Sequence, residues 1–161
     1  MKKIMVIGCP GSGKSTFSKK LAKITGIPLY HLDMMYWNPD KTTVEKAVFL
    51  DRLSNAMGAD SWIIDGNYGS TLELRMRACD TVIFLDLPLT VCLDGVRERR
   101  GKARSDMSWI ETEEDHEFIE FIKNFAAKSR PAILELLSKH PDKTAYIFKD
   151  RQEADEFLDQ I

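Results

Sequence analysis

The stretch Gly8-Cys9-Pro10-Gly11-Ser12-Gly13-Lys14-Ser15 decides the fold of this chain. A glycine, four further residues and Gly-Lys-Ser form the Walker A pattern, or P-loop, whose backbone wraps around the phosphates of a nucleotide. Glycines let the backbone approach an anion, and the N–H groups of the loop and of the next helix meet the phosphate oxygens. The spacing predicts that Lys14 reaches the β- and γ-phosphates of ATP and that the Ser15 hydroxyl binds Mg²⁺. The residues expected to bind the nucleotide are Gly8, Gly11, Ser12, Gly13, Lys14, Ser15 and Thr16.

Strand patterns and helical patterns alternate along the whole chain. Apolar runs predict strands at 2–7, 28–32, 62–64, 81–85 and 144–148. Helical spacing predicts helices at 16–24, 44–57, 71–78, 88–100, from 115 onward and at 152–161, with Pro131 interrupting or restarting the long one. Continuously apolar strands separated by helices are typical of a parallel sheet covered on both faces. The sequence therefore predicts one doubly wound α/β domain over 1–161 with five parallel strands.

Composition indicates an ordinary globular chain and excludes several classes of protein. Of the 161 residues, 43% are hydrophobic and 30% are charged, and no apolar run is long enough to span a membrane. The net charge is −2, and the only cationic cluster, at 97–104, is followed by an acidic stretch at 111–120, so the basic face of a nucleic-acid binder is missing. Three cysteines without close spacing indicate neither a disulfide framework nor a zinc site. We expect a cytoplasmic protein, monomeric or homodimeric, that binds neither nucleic acid nor a membrane.

Polar residues follow the predicted strands at the edge where ligands of such sheets bind. Asp65 and Asp86 each end an apolar strand, which is the position of the Walker B carboxylate that holds Mg²⁺. Asp65 is the better metal candidate because Gly66 lets the chain turn away, while Asp86 is equally well explained as the N-cap of the next helix. Asp33, opposite the P-loop, is a candidate base for a substrate hydroxyl. A lone histidine such as His31 is more often structural.

Two further stretches carry a resemblance to a known family: His31-Leu32-Asp33-Met34-Met35-Tyr36-Trp37 and Trp62-Ile63-Ile64-Asp65-Gly66-Asn67-Tyr68. With the P-loop and the arginines after the fourth strand, they resemble the adenylate kinase-like branch of P-loop kinases. They look closest to the bacterial group labelled "DNA topology modulation protein" (FlaR-like). The resemblance implies ATP and Mg²⁺ binding, a short mobile lid at 101–114 and an acceptor-side excursion at 34–58. It also implies that Arg97, Arg104 and Arg130 surround the transferred phosphoryl group.

The chain departs from the adenylate kinase pattern after the third strand. In those kinases Asp-Gly leads into Phe-Pro-Arg, and that arginine holds the phosphate of the acceptor, whereas this chain continues Asn67-Tyr68-Gly69. Arg52, Arg75 or Arg77 could substitute for it, but each is equally explained as a solvated charge on a helix, and we favour that interpretation for Arg75 and Arg77. The departure argues against AMP as the acceptor.

Three residues near the predicted site have two interpretations each. Tyr36 and Trp37 either stack on a base or sugar of the acceptor or close the core beneath the excursion. Cys9 lies in the phosphate nest, where positive potential favours a reactive thiolate, or it is a buried thiol at a variable loop position.

The predicted function is transfer of the γ-phosphoryl group of Mg-ATP to a small acceptor, namely a nucleotide, a nucleoside or a hydroxyl metabolite. The alternative is a nucleotide-dependent regulatory protein that binds or slowly hydrolyses ATP and acts through a partner. An arginine-rich lid favours the kinase, because a lid keeps water from the phosphoryl group. The catalytic candidates are Lys14, Asp33, Arg97, Arg104 and Arg130, and the metal candidates are Ser15, Asp65 and Asp86.

Overall fold

Five parallel strands form the central sheet in a computed structural model that describes residues 1–161. The strands are β1 (Lys3–Gly8), β2 (Leu29–His31), β3 (Trp62–Asp65), β4 (Thr81–Leu85) and β5 (Thr144–Phe148). Their spatial order is β2-β3-β1-β4-β5, and every neighbouring pair is parallel. The predicted doubly wound α/β sheet is therefore confirmed.

Helices flank this sheet and connect its strands. They are α1 (Lys14–Thr25), α2 (Leu32–Tyr36), α3 (Lys46–Met57), α4 (Gly69–Ala78), α5 (Leu89–Arg99), α6 (His116–Lys139) and α7 (Arg151–Gln160). Local signals explain several boundaries: Gly26 ends α1 in the left-handed conformation, and the Asp115 side chain accepts hydrogen bonds from the first N–H groups of α6. The short α2 was not predicted, because five residues are too few to show a helical period. None of the helices combines the length and the apolar character that crossing a membrane requires.

The inner strands carry the core and set the register of the site. The side chains of β1, β3 and β4 are buried almost throughout, which is why their sequences are continuously apolar. In the β1–β3 pair Val6 lies beside Asp65, and in the β1–β4 pair Gly8 lies beside Leu85. His31 of β2 lies beside Asp65 as well. The carboxyl ends of these strands consequently meet at one edge of the sheet, next to the P-loop.

The long helix α6 differs from its prediction at Pro131. It continues without interruption from His116 to Lys139, so the expectation that Pro131 would break or restart it was wrong. Proline removes one backbone donor from a helix interior. Here Pro131 is exposed, while Ile122, Phe125 and Ile133 on the opposite face are buried and hold both halves of the helix against the core.

Candidate active site

The P-loop joins β1 to α1 and packs against α5. Gly11 has a φ of +82°, and a Cβ atom at this position would lie 2.0 Å from the carbonyl oxygen of Cys92, so only glycine fits. Gly13 has a φ of +96°, and a Cβ atom there would meet no atom within 4 Å. The loop is therefore pressed against α5 on one side and open on the other, which is the space that a phosphate needs.

Lys14 turns back over the loop that precedes it. Its Nζ donates hydrogen bonds to the carbonyl oxygens of Gly8 (2.8 Å) and Cys9 (3.1 Å). Burial lowers the pKa of Lys14, and the nearby carboxylate of Asp65 opposes that shift. A buried ammonium group held by neutral carbonyls gains strongly from an anionic partner, so Lys14 is suited to bind a phosphate.

The residues present fit a magnesium ion next to the P-loop. The Oγ atom of Ser15 is buried and has no hydrogen-bond partner in the chain, so its lone pairs are available to a cation. Asp65 is 6% exposed and lies at the end of β3, where Nδ1 of His31 lies 2.9 Å from each of its carboxylate oxygens. No group of three or more His, Cys, Asp or Glu side chains gathers anywhere in the chain, so phosphate oxygens and water would complete the coordination.

Asp86, the second metal candidate, is neutralised by cations. Its carboxylate accepts a hydrogen bond from Nε of Arg130 (2.9 Å) and one from Nζ of Lys149. It caps no helix either: α5 begins after Pro88 without a side-chain cap, so the N-cap interpretation was wrong. Asp65 contacts one histidine instead of two cations, so it stays the better candidate of the two.

Asp33 faces the P-loop from α2, in partnership with Tyr68. The Tyr68 hydroxyl donates a hydrogen bond of 2.5 Å to Oδ1 of Asp33. Burial raises the pKa of Asp33, while the hydrogen bond from Tyr68 and the charge of Lys14 oppose the shift. Oδ2 remains for a substrate hydroxyl, so the carboxylate can act as a base.

Asn67 and Tyr68, which the sequence analysis did not assign to the site, belong to it. Asn67 makes two hydrogen bonds to Gly8, accepting from its N–H (3.1 Å) and donating to its carbonyl oxygen (2.6 Å). Both residues directly follow Asp65-Gly66 at a strand end, which is the same signal that singled out Asp65.

The three arginines considered for an acceptor phosphate are committed elsewhere. Arg75 is 0% exposed, and its guanidinium donates to the carbonyl oxygens of Gly66 (2.9 Å) and Asn67 (2.5 Å). Arg77 pairs with Glu73 on the exposed face of α4, and Arg52 donates to a backbone carbonyl outside the cleft. Arg75 was therefore not a solvated helix charge, whereas Arg77 was.

Segment 101–114, which was predicted to be a lid, lines the cleft, and its carboxylates hold two arginines. Arg104 pairs with Asp106 (3.2 Å) and with Glu111 (3.0 Å), and Arg99 reaches the same Glu111 (3.3 Å). The Ser108 hydroxyl donates to the backbone carbonyl of residue 37 on the excursion (2.9 Å), which joins lid and excursion. Charge pairs of this kind are exchangeable for phosphate oxygens.

These elements surround one cleft of about 1780 Å³. Lining it are Gly11, Ser12, Gly13, Lys14, Ser15, Thr16, Asp33, Asp65, Asn67, Tyr68, Arg99 and Arg104. The structure does not bring Arg97, Arg130 or Asp86 to the lining: Arg97 is exposed on another face of α5, and Arg130 is bound to Asp86. Arg99, two residues from Arg97, takes the position in the cleft that the resemblance gave to Arg97.

The surroundings of Cys9 bear on its two interpretations. The residue is 5% exposed, and a hydrogen bond with Cys92 together with burial raises the pKa of the Cys9 thiol. Lys14 opposes this shift only weakly. Burial favours the interpretation as a buried thiol, and the reactive thiolate stays a prediction that alkylation tests.

Comparison with known proteins shows the fold. No family model and no curated protein matches the chain. Among solved structures, a shikimate kinase from Bacteroides thetaiotaomicron is 19% identical with a TM-score of 0.59, covering 98% of this chain and 94% of its own. A shikimate kinase from Acinetobacter baumannii in complex with shikimate is 15% identical with a TM-score of 0.64, covering 99% and 92%.

A sugar kinase from Janibacter sp. HTCC2649 is similar too, at 17% identity and a TM-score of 0.53, covering 99% of this chain and 91% of its own. The chain has a P-loop kinase fold. At these low sequence identities the similarity shows a shared fold, and no residue role is transferred from these proteins to this chain. None of the three structures bears the "DNA topology modulation" label, so that finer resemblance is not confirmed.

Proposed function

We propose that this P-loop kinase fold transfers the γ-phosphoryl group of Mg-ATP to a hydroxyl group of a small acceptor. The observation that carries the proposal is the juxtaposition, in one cleft, of a phosphate-binding loop with a half-buried carboxylate. Lys14 and Ser15 lie on the nucleotide side, and Asp33 lies opposite them with a raised pKa. A carboxylate there has no role in binding phosphate, which it repels, but it suits a base that takes a proton from a hydroxyl.

The chain contributes position and charge rather than a covalent intermediate. The backbone N–H groups of the P-loop bind the phosphates, and Lys14 neutralises charge on the β- and γ-oxygens. Asp33, oriented by Tyr68, accepts the proton of the attacking hydroxyl. Mg²⁺ held near Ser15 and Asp65 would screen the charge between β- and γ-phosphates.

Arg99 and Arg104 would stabilise the phosphoryl group during transfer once they leave Glu111. Both guanidinium groups already line the cleft, and a planar guanidinium matches two phosphoryl oxygens at once. Closure of the lid over this position would exclude water, which competes with the acceptor for the phosphoryl group.

The proposal is tested by measuring ADP formation with a panel of hydroxyl acceptors. Lys14→Ala should abolish Mg-ATP binding in calorimetric titration without unfolding the protein, whereas Lys23→Ala, exposed on the same helix, should bind normally. Asp33→Asn should keep ATP affinity and lose about 10²–10⁴-fold in kcat. Asp51→Asn, an exposed carboxylate on α3, is its matched control.

Two outcomes would contradict the proposal. Slow ATP hydrolysis that no acceptor accelerates and that Asp33→Asn leaves unchanged would favour a nucleotide-dependent regulator. Transfer by Asp33→Asn at the wild-type rate would remove the base role.

A further inference from the structure

The acceptor side of the cleft has an unusual balance of charge. We define the acceptor pocket by six lining residues: Asp33, Tyr36, Trp37, Tyr68, Asp106 and Trp109. Of its two carboxylates, Asp106 is only 7% exposed and Asp33 is half-buried. The charge of Asp106 also contributes to raising the pKa of Asp33, so both carboxylates act on the same small volume.

No cation in this pocket is left over for an anion on the acceptor. Arg99 and Arg104 are paired with carboxylates, and in the proposed function they turn to the transferred phosphoryl group rather than to the acceptor. Arg75 is enclosed beneath the loop that carries Tyr68. Lys41 has no carboxylate partner, but it is exposed at the rim, with Nζ 5.1 Å from the centre of the Trp109 ring. Solvent screens a charge in that position. A carboxylate or phosphate on the acceptor would therefore lie next to negative charge without a compensating guanidinium.

Aromatic rings form the remaining walls. Ring centres lie 5.0 Å apart for Tyr36 and Tyr68 and 5.8 Å apart for Trp37 and Trp109. Tyr36 also packs on Phe49 beneath it, so these rings both close the core and face the cleft. Nε1 of Trp109 is a donor without a partner in the chain. Flat apolar faces with polar edges suit a ring that carries C–H groups on one side and hydroxyls on its rim.

From this balance we infer that the acceptor is an uncharged polyhydroxylated ring compound, with no carboxylate or phosphate of its own. Sugars and nucleosides share this chemistry. The inference rests on the proposed phosphotransfer and narrows its acceptor.

The transfer balances with ATP as the only co-reactant. The O–H bond of the acceptor breaks, and its proton moves to Oδ2 of Asp33 while the hydroxyl oxygen bonds to the γ-phosphorus. The bond from that phosphorus to the bridging oxygen breaks, and ADP leaves with the electron pair. The product is a phosphate monoester, and Asp33 then releases the proton to solvent.

Matched pairs of acceptors test the inference, each pair differing by one anionic group. The probes are adenosine against adenosine 3′-monophosphate and D-glucose against D-glucose 1-phosphate, at saturating Mg-ATP, so that the anionic member of each pair keeps its primary hydroxyl. We expect the uncharged member of the reacting pair to have at least about a tenfold higher kcat/KM, since each factor of ten requires only about 1.4 kcal/mol of repulsion. The pair that reacts distinguishes a nucleoside from a sugar.

Binding supplies a second readout that does not require turnover. Trp62 is fully buried, so quenching of tryptophan fluorescence in the presence of Mg-ADP reports on Trp37 and Trp109. The uncharged members should quench, and the quenching should be lost in Trp37→Phe combined with Trp109→Phe. The anionic members should quench only at concentrations about tenfold higher or more.

Removing one carboxylate from the acceptor pocket tests whether negative charge causes the preference for an uncharged acceptor. Asp106→Asn takes away one carboxylate and leaves Arg104 paired with Glu111 alone, so the preference for the uncharged acceptor should fall at least about threefold in kcat/KM ratio. Asp159→Asn, exposed at the end of α7, should leave the ratio unchanged.

The outcomes separate this inference from the proposed function. Equal or better use of the anionic acceptors would overturn the inference while phosphotransfer stands, and so would failure of both uncharged probes to bind. ATP hydrolysis without transfer to any acceptor, despite quenching by uncharged probes, would instead count against the phosphotransferase.

Discussion

Replacing Arg75 by methionine tests how the loop after β3 is held in place. The guanidinium is fully buried and donates to Oγ1 of Thr71 (3.2 Å) and to the carbonyl oxygens of Gly66 (2.9 Å) and Asn67 (2.5 Å). The same loop places Tyr68, whose φ of +28° is strained for a residue with a side chain. Methionine keeps the apolar stem and removes every donor.

Two opposing terms decide the result for Arg75. Hydrogen bonds from a charged donor contribute about 1.5–3 kcal/mol each, and the three short bonds are lost together. Burial lowers the pKa of Arg75 from its usual 12.5 to about 10. At about 1.4 kcal/mol per pKa unit, keeping the buried guanidinium charged costs about 3 kcal/mol. The uncharged methionine variant does not have this cost. The hydrogen bonds outweigh that recovery, and we expect a net destabilisation of about 2–5 kcal/mol.

Urea unfolding followed by circular dichroism measures this loss. The midpoint should fall by about 1–2 M at an unchanged slope, since slopes for such domains are about 1–3 kcal/mol/M. Arg77→Met, two residues along the same helix and exposed, should change stability by less than about 0.5 kcal/mol. Mg-ATP affinity should fall in Arg75→Met as well, because Asn67 no longer fixes Gly8.

The opposite result would refute this reasoning. If Arg75→Met were as stable as the wild type or more stable, the cost of burying the charge would exceed the hydrogen bonds, as happens for some buried ion pairs. Arg75 would then not hold the loop, and the placement of Tyr68 would need another explanation.

Three further predictions follow from buried or strained groups. Burial raises the pKa of Asp33 in the folded protein. Between about pH 4 and that raised pKa, the folded state therefore binds more protons than the unfolded chain. The free energy of unfolding consequently falls as the pH rises through this window. Asp33→Asn should therefore raise Tm at neutral pH and lose this advantage below about pH 4; a Tm difference independent of pH would contradict the burial argument. Cys9 should react with iodoacetamide no faster than Cys79, and ATP should not change the rate of that reaction. Rapid labelling of Cys9 that ATP prevents, measured by mass spectrometry, would instead support a reactive thiolate. Pro131→Ala should stabilise the protein by about 1–2 kcal/mol in urea unfolding, because the helix regains one hydrogen bond; a loss of stability would show that the proline is needed where it stands.

The parts of the site that are local in sequence were predictable from it. The P-loop is eight consecutive residues, and its conformation depends on glycines within it and on the strand and helix at its ends. The same holds for Asp65, because a carboxylate directly after an apolar parallel strand must lie at the edge where the strands end. Burial on both faces produces continuously apolar strands, so the α/β class was visible as well.

Tertiary structure alone decided which polar side chains meet. Arg97 and Arg99 are two residues apart on α5, about 200° around a helix, and only the packing of that helix determines that Arg99 faces the cleft. Asp86 meets Arg130 from a helix 44 residues away, and Asp33 meets Tyr68 across 35. No periodicity encodes such pairs, because they depend on strand order, on helix rotation and on which charge is enclosed during folding. That is why composition and spacing predicted the residues on the nucleotide side of the cleft, whereas the contacts between residues on the acceptor side could be identified only from the tertiary structure.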